Sequence, residues 1–176
     1  MNTKYPIILV HGIIIKDIKF IKSFGNIDRI LKIQGHHVYK SNVDGVGTIE
    51  NNASMLKEEI LSILEKEKVD KVNIIAHSKG GLDSKYMIQQ LGMEDHVASL
   101  TTLCTPHKGS PIAENILKLP KWILKFIAFW VNLVYKIFGD KHPNSLKVCE
   151  QLSPVNSYLT ETISISDKVY TQSYST

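Results

Sequence analysis

The segment from Val72 to Leu82 constrains the fold of this 176-residue chain more than any other part of the sequence. An apolar run, Val72 to Ala76, leads directly into the motif Ala76-His77-Ser78-Lys79-Gly80-Gly81. The run is typical of a buried parallel strand, and the motif matches the pattern G-x-S-x-G with alanine in its first position. Such a pattern predicts a sharp strand-to-helix turn with the serine, Ser78, at its tip. Small residues on both sides, Ala76 and Gly80, let the helix pass close to the strand.

Short apolar runs alternate with helical patterns along the rest of the chain. Further strands are predicted at Ile7 to Val10, Val38 to Ser41 and Val97 to Leu103. Helices that pack on the sheet are predicted at Asp28 to Ile33 and Met55 to Lys68, the second with Leu56, Ile60, Ile63 and Leu64 on one face. This alternation predicts a doubly wound, mostly parallel α/β sheet that binds ligands at the carboxyl ends of its strands. Residues 1–176 are interpreted as one domain.

Composition excludes several classes of protein. The chain is 43% hydrophobic and 22% charged, which is typical of a folded protein. Its net charge of +4 comes from scattered lysines and one arginine, Arg29, so nucleic-acid binding is not expected. Cys104 and Cys149 are too few for a disulfide framework and are predicted to be buried thiols. No two histidines or carboxylates show the spacing of metal ligands, so neither a metal ion nor another cofactor is expected.

The N-terminus carries no visible signal peptide, because the apolar stretch Ile7 to Val10 is too short for one and leads at once into a motif of the fold. This observation predicts a cytoplasmic location and leaves secretion by a route without a signal open.

Three motifs, each at the end of a predicted strand, occur in a fixed order. They are Tyr5-Pro6-Ile7-Ile8-Leu9-Val10-His11-Gly12, Ala76-His77-Ser78-Lys79-Gly80-Gly81 and Thr105-Pro106-His107-Lys108-Gly109-Ser110. In this order they resemble the signature of bacterial triacylglycerol lipases of the Pseudomonas, Burkholderia and Proteus kind, which belong to the α/β-hydrolase superfamily. The resemblance runs from about residue 5 to the end of the chain and corresponds to the N-terminal two-thirds of such a lipase.

The resemblance implies roles for particular residues. Ser78 would be the nucleophile, and the backbone N–H groups of Ile13 and Lys79 would form the oxyanion hole, without the Lys79 side chain. The N-terminus of the helix that begins at the serine favours negative charge there. In such lipases the residues that correspond to His11, His77 and His107 are structural.

The acid and the histidine of the catalytic triad have no assigned positions. In the family resembled here, both follow a strand that Val169 to Tyr174 matches, and this chain ends at Thr176. Asp140, Asp167 and His142 lack the family context, so we expect the missing pair beyond Thr176. We therefore expect the chain to hydrolyse esters very slowly or not at all. We also expect self-association through an exposed sheet edge.

The segment from Trp122 to Phe138 is almost wholly apolar, interrupted by Lys125, Asn132 and Lys136. A membrane-spanning helix needs about 20 apolar residues, so this segment is short for that purpose. It could instead be a buried core helix. The resemblance implies a third interpretation, a helical lid of about residues 111–143 that contacts a lipid interface through residues 122–138.

These observations favour a lipase or carboxylesterase of lipid metabolism that cleaves lipid or small esters through an acyl-enzyme. The alternative is a non-catalytic remnant of the same fold that binds lipid or a partner. A membrane-anchored interaction protein built around Trp122 to Phe138 is a third interpretation.

Overall fold

The computed structural model describes residues 3–13, 24–156 and 167–175. Five strands form one sheet in the order β2-β1-β3-β4-β5, and every neighbouring pair is parallel. The strands are β1 (Ile7–Val10), β2 (Val38–Lys40), β3 (Val72–His77), β4 (Val97–Leu103) and β5 (Tyr170–Tyr174). The helices are α1 (Ile27–Ile33), α2 (Ile49–Glu67), α3 (Lys79–Gln90), α4 (Pro111–Leu117), α5 (Lys121–Ile137) and α6 (Ser145–Leu152). The α/β fold with a parallel sheet is thus as predicted.

Strand β1 is buried on both faces, as expected for a strand covered by helices on both sides. Its side chains alternate between two separate apolar clusters. Ile8 and Val10 belong to the larger core, which also contains residues of α2 and α3, such as Leu56 and Met87. Ile7 and Leu9 lie in a smaller cluster with Val38, against which Phe24 and Leu31 pack. The two clusters show that the sheet is doubly wound.

Helix α2 begins six residues earlier than predicted. The Thr48 hydroxyl accepts a hydrogen bond from the Asn51 N–H at 3.3 Å, which caps the helix at its N-terminus. Its end is marked by Lys68, which adopts a left-handed conformation with φ of 54°. The predicted apolar face is confirmed, because Leu56, Ile60, Ile63 and Leu64 are all buried.

Two predictions about burial are wrong in part. Helix α1 contains no buried residue, and Ile33 is 74% exposed, so α1 packs on the sheet less closely than α2 does. Cys104 is exposed because it follows β4 in a turn with φ of 51°, whereas it was predicted to be buried. Cys149 is partly buried, and this burial raises the pKa of its thiol.

Helix α5 is not a core helix, which contradicts one of the three interpretations of its sequence. Leu124 is its single buried residue, whereas Trp122 and Phe126 are 73% and 63% exposed. Among the described residues, no helix is long and apolar enough to cross a membrane. The apolar face of α5 therefore lies on the surface of the described structure.

Candidate active site at the β3–α3 turn

Ser78 lies between β3 and α3 in a strained backbone conformation. It caps the N-terminus of α3 with φ of 52° and ψ of −129°. A non-glycine residue in this region costs on the order of 1–3 kcal/mol and persists only where the surrounding structure enforces it. The sharp strand-to-helix turn predicted from the sequence is therefore present, with Ser78 at its tip.

Hydrogen bonds from β4 and the following loop hold this turn. The Ser78 N–H donates to the Leu103 carbonyl at 2.9 Å. The Ser78 carbonyl accepts hydrogen bonds from the Thr105 hydroxyl at 2.9 Å and from the Gly81 N–H at 3.1 Å. Both backbone polar groups of the strained residue are thus satisfied, which fixes its conformation.

Three glycines allow the turn to contact its neighbours closely. A Cβ at Gly12 would lie 2.8 Å from the Ser78 Cβ, and one at Gly80 would lie 2.5 Å from the His11 carbonyl oxygen. At Gly81 it would lie 2.2 Å from the Thr105 hydroxyl oxygen. The loop after β1 therefore packs directly against the start of α3.

This packing brings together the two segments that carry the predicted oxyanion donors. Ile13 follows Gly12, and Lys79 follows Ser78, so the close approach of Gly12 to Ser78 joins both segments. A Cβ at Gly12 would also lie 3.0 Å from the backbone nitrogen of Lys79. The Ile13 side chain is exposed, whereas that of Lys79 is fully buried.

The histidines near the turn contact groups other than the Ser78 hydroxyl. His11 Nδ1 lies 2.8 Å from the Gly12 carbonyl oxygen, and the His77 ring makes an edge contact with Phe24. His107 Nε2 lies 3.2 Å from the Thr102 hydroxyl. Burial, with a smaller contribution from a neighbouring lysine, lowers the pKa of His107. Within the described residues, no hydrogen bond joins the Ser78 hydroxyl to another side chain.

An apolar pocket of about 230 Å³ lies beside Ile13. Helices α5 and α6 form most of its walls, and its lining residues include Leu124, Ile127, Val131, Leu146, Val148 and Cys149. A larger groove of about 410 Å³ lies over β4 and β5, where Lys85, Thr102 and His107 line it. Ser78 lines neither cavity, but Ile13 places the apolar pocket next to the loop that contacts Ser78.

Two buried aspartates connect the loop after β2 to the loop after α5. The Asp140 carboxylate accepts hydrogen bonds from the N–H groups of Gly45 and Val46 at 3.0 and 2.9 Å. The Asp44 carboxylate accepts hydrogen bonds from the N–H groups of Lys141 and His142 at 2.9 and 2.7 Å. Asp140 therefore has a structural role, and the His142 backbone belongs to the same junction.

The described parts of the chain contain no group of three or more histidine, cysteine, aspartate or glutamate side chains suited to hold a metal ion. The Asp44 and Asp140 carboxylates instead bind backbone N–H groups.

The sequence and the fold can now be compared with known proteins. The model of the PGAP1-like alpha/beta domain family matches residues 37–161. The chain belongs to this family. It is 34% identical over 137 residues to Triacylglycerol lipase 2 of Saccharomyces cerevisiae, an overlap of 69% of this chain and 42% of that lipase. It is 33% identical over 151 residues to a triacylglycerol lipase of Burkholderia plantarii, an overlap of 80% of this chain and 41% of that lipase.

Solved structures support the same fold for this lipase-like α/β-hydrolase. The mature form of the Bacillus licheniformis lipase BlEst2 is similar with a TM-score of 0.67 and 21% identity, over 96% of this chain and 64% of that one. The metagenomic carboxyl esterase MGS0156 gives a TM-score of 0.72 and 16% identity, over 96% and 48% of the two chains. The predicted resemblance to triacylglycerol lipases is confirmed. The chain spans less than half the length of the two curated lipases described above.

Proposed function

We propose that this chain carries the nucleophile of a lipid-ester hydrolase. In this proposal the Ser78 hydroxyl attacks the ester carbonyl, expels the alcohol and forms an acyl-enzyme that water then hydrolyses. The observation that carries the proposal is the strained Ser78 backbone at the tip of the β3–α3 turn. This conformation costs stability for any residue other than glycine. The G-x-S-x-G turn, however, requires it of a serine, because it exposes the hydroxyl above the sheet.

The oxyanion of the tetrahedral intermediate would be bound by the N–H groups of Ile13 and Lys79. The close contact between Gly12 and the start of α3 supports this assignment, because it brings the two donor segments together. The positive end of the α3 dipole adds to the stabilisation of negative charge. Each such donor contributes about 3–4 kcal/mol to a transition state in a serine hydrolase.

Residues 111–143 would form the lid, with α5 at the lipid interface. Its exposed aromatic residues Trp122, Phe126, Phe129 and Trp130 are large apolar groups, and Lys121, Lys125 and Lys136 lie on the same helix. Apolar residues with flanking lysines favour the boundary between lipid headgroups and acyl chains. The apolar pocket under α5 would then accept the acyl chain.

Vesicle flotation tests the interfacial role. The double variant Phe126→Lys, Trp130→Lys should lose binding to zwitterionic phosphatidylcholine vesicles, because it replaces two exposed aromatic residues with charged ones. Ile33→Lys is the matched control, since Ile33 is an exposed apolar residue on α1. Equal flotation of the double variant and the control would contradict the proposal.

A specific observation favours a second candidate, lipid binding without turnover. A serine hydroxyl needs a base within hydrogen-bond reach, and none of the described side chains is hydrogen-bonded to the Ser78 hydroxyl. Loss of the histidine in a triad enzyme lowers turnover on the order of a million-fold. In this candidate α5 and its pocket bind the lipid, and the lipid is not cleaved.

Labelling with a fluorophosphonate, together with turnover of p-nitrophenyl butyrate, tests the proposed nucleophile. We expect slow labelling of the chain at Ser78, identified by peptide mass spectrometry, with turnover near background. Ser78→Ala should abolish labelling, while Ser54→Ala, which removes an exposed serine of α2, should not. Labelling that is the same in Ser78→Ala and the parent would refute the nucleophile. Fast turnover that depends on Ser78 would instead reveal a base within these residues, with His107 and His142 the first to mutate.

A further inference from the structure

The side chain of Lys79, the residue after Ser78, is fully buried beneath the β3–α3 turn. Its Nζ donates to both carboxylate oxygens of Asp83, one turn along α3, at 2.7 and 2.9 Å. Both side chains are 1% exposed. Burial raises the pKa of the Asp83 carboxyl, and the charge and hydrogen bonds of Lys79 oppose that effect. A buried ion pair therefore lies directly under the strained serine.

Asn52 of α2 ties this ion pair to a second element. Its Nδ2 donates to the Asp83 carboxylate at 3.0 Å and to the Asp44 carbonyl at 2.8 Å, and its Oδ1 accepts from the Asp44 N–H. A Cβ at Gly47 would lie 2.3 Å from the Asn52 Oδ1, so the loop fits closely around the amide. The network is continuous from Lys79 to the loop after β2.

Stability alone does not account for this arrangement. Replacing a buried ion pair by apolar residues of similar volume is often neutral or stabilising, because the desolvation of two charges offsets their attraction. Directional bonds, however, fix geometry in a way that apolar packing does not. The pair lies next to Ser78, whose conformation must be enforced by its surroundings.

We propose that Lys79, Asp83 and Asn52 are positioning residues, which hold the Ser78 turn in its strained conformation and aim the Lys79 N–H at the oxyanion. The effect on catalysis rests on the proposed function. The effect on the turn does not, and it can be measured without any reaction.

Amide hydrogen exchange tests the positioning role in the double variant Lys79→Met, Asp83→Leu. This variant removes both charges and fills their space with apolar side chains, methionine with nearly the volume of lysine and leucine larger than aspartate, so its global stability is measured in parallel by urea unfolding. We expect at least tenfold faster exchange of the Ser78 and Gly81 N–H groups, which bond to the Leu103 and Ser78 carbonyls. The Met93 N–H, bonded to the Ile88 carbonyl beyond the other end of α3, should exchange at the parental rate.

A second variant tests the same role if the first variant does not fold. Asn52→Ala leaves the ion pair compensated but cuts its tie to Asp44, and it should accelerate the same two amides at least threefold. Unchanged exchange at Ser78 and Gly81 in a folded variant of either kind would overturn the proposal. Equal acceleration at Met93 would also overturn it, because that result indicates a general loss of stability.

Fluorophosphonate labelling measures the consequence for the site. If the parent is labelled at Ser78, the double variant should be labelled at least tenfold more slowly. The exposed pair Lys147 and Glu150 provides the control, and its replacement by methionine and leucine should leave the rate unchanged. If the parent is not labelled at Ser78, the proposed function fails, and the exchange experiment still decides the positioning role. Labelling of the folded double variant at the parental rate would overturn that role.

Discussion

Replacing Gly80 by alanine tests the packing on which the candidate site depends. The new Cβ would lie 2.5 Å from the His11 carbonyl oxygen and 2.6 Å from that of Val10. Ordinary contacts of a Cβ begin at about 3.4 Å, so the added atom overlaps both oxygens by close to 1 Å. Both are backbone atoms near the end of β1, and neither can rotate away. Helix α3 would have to move off the strand.

The expected magnitude is the balance of two terms. Alanine is favoured over glycine inside a helix by about 1 kcal/mol, which would stabilise the variant. Overpacking a rigid contact costs about 1–3 kcal/mol, and two backbone oxygens place this site at the upper end. The net expectation is a loss of about 2 kcal/mol. For a chain of this length that loss lowers Tm by roughly 4–8 °C.

Thermal and urea unfolding, followed by circular dichroism, measure the loss. Gly92→Ala is the matched control, because Gly92 has positive φ of 67° but nothing within 4 Å of its Cβ position. It should cost only backbone strain, about 1 kcal/mol, and leave Ser78 labelling unchanged. Gly80→Ala should reduce that labelling as well as stability. A Gly80→Ala variant as stable as the parent would refute the close contact between α3 and β1.

Three further outcomes follow from the same structure. Ser78→Gly should raise the free energy of unfolding by about 1 kcal/mol in urea titrations, because glycine relieves the positive φ. Burial lowers the pKa of His107 from 6.5, so the unfolded chain binds more protons than the folded chain near and below that pH. The free energy of unfolding should therefore fall as the pH drops from about 7.5 to 5. His107→Gln should flatten this pH dependence, measured as the urea midpoint. The hydrogen bond and charge of the Lys168 ammonium lower the pKa of Asp95. This pair should therefore stabilise the fold above pH 3.8 and lose that effect as the pH falls below 3.8. Lys168→Met should reduce the decrease of Tm with falling pH in thermal scans.

Local patterns made part of this fold predictable. Strands β1 and β4 have the predicted bounds, since short apolar runs with β-branched residues are characteristic of buried parallel strands. The turn at Ser78 was also predictable, because its strained residue and the close approach at Gly80 involve only neighbours within one motif and the strand beside it.

Long-range polar contacts were not predictable in the same way. Asp44 and Asp140 lie far apart in the sequence and exchange hydrogen bonds with the backbone of each other's loop. Nothing local distinguishes them from exposed aspartates. The early start of α2 was missed for a related reason, since Asn52 looks like a surface residue and is buried for its hydrogen bonds. The one available signal for the ion pair was the spacing of Lys79 and Asp83 by four residues on a helix.

Two costly features occupy adjacent residues at the centre of this structure. Ser78 carries backbone strain of roughly 1–3 kcal/mol, and Lys79 is part of a buried ion pair that apolar residues could replace at little cost. Because a domain is stable by only about 5–15 kcal/mol, this strain is a substantial fraction of the total. Buried carboxylates also occur at Asp44 and Asp140, where they accept hydrogen bonds from backbone N–H groups. At the β3–α3 turn, in contrast, a strained residue lies next to a buried ion pair, at the point where the proposed mechanism requires a fixed serine.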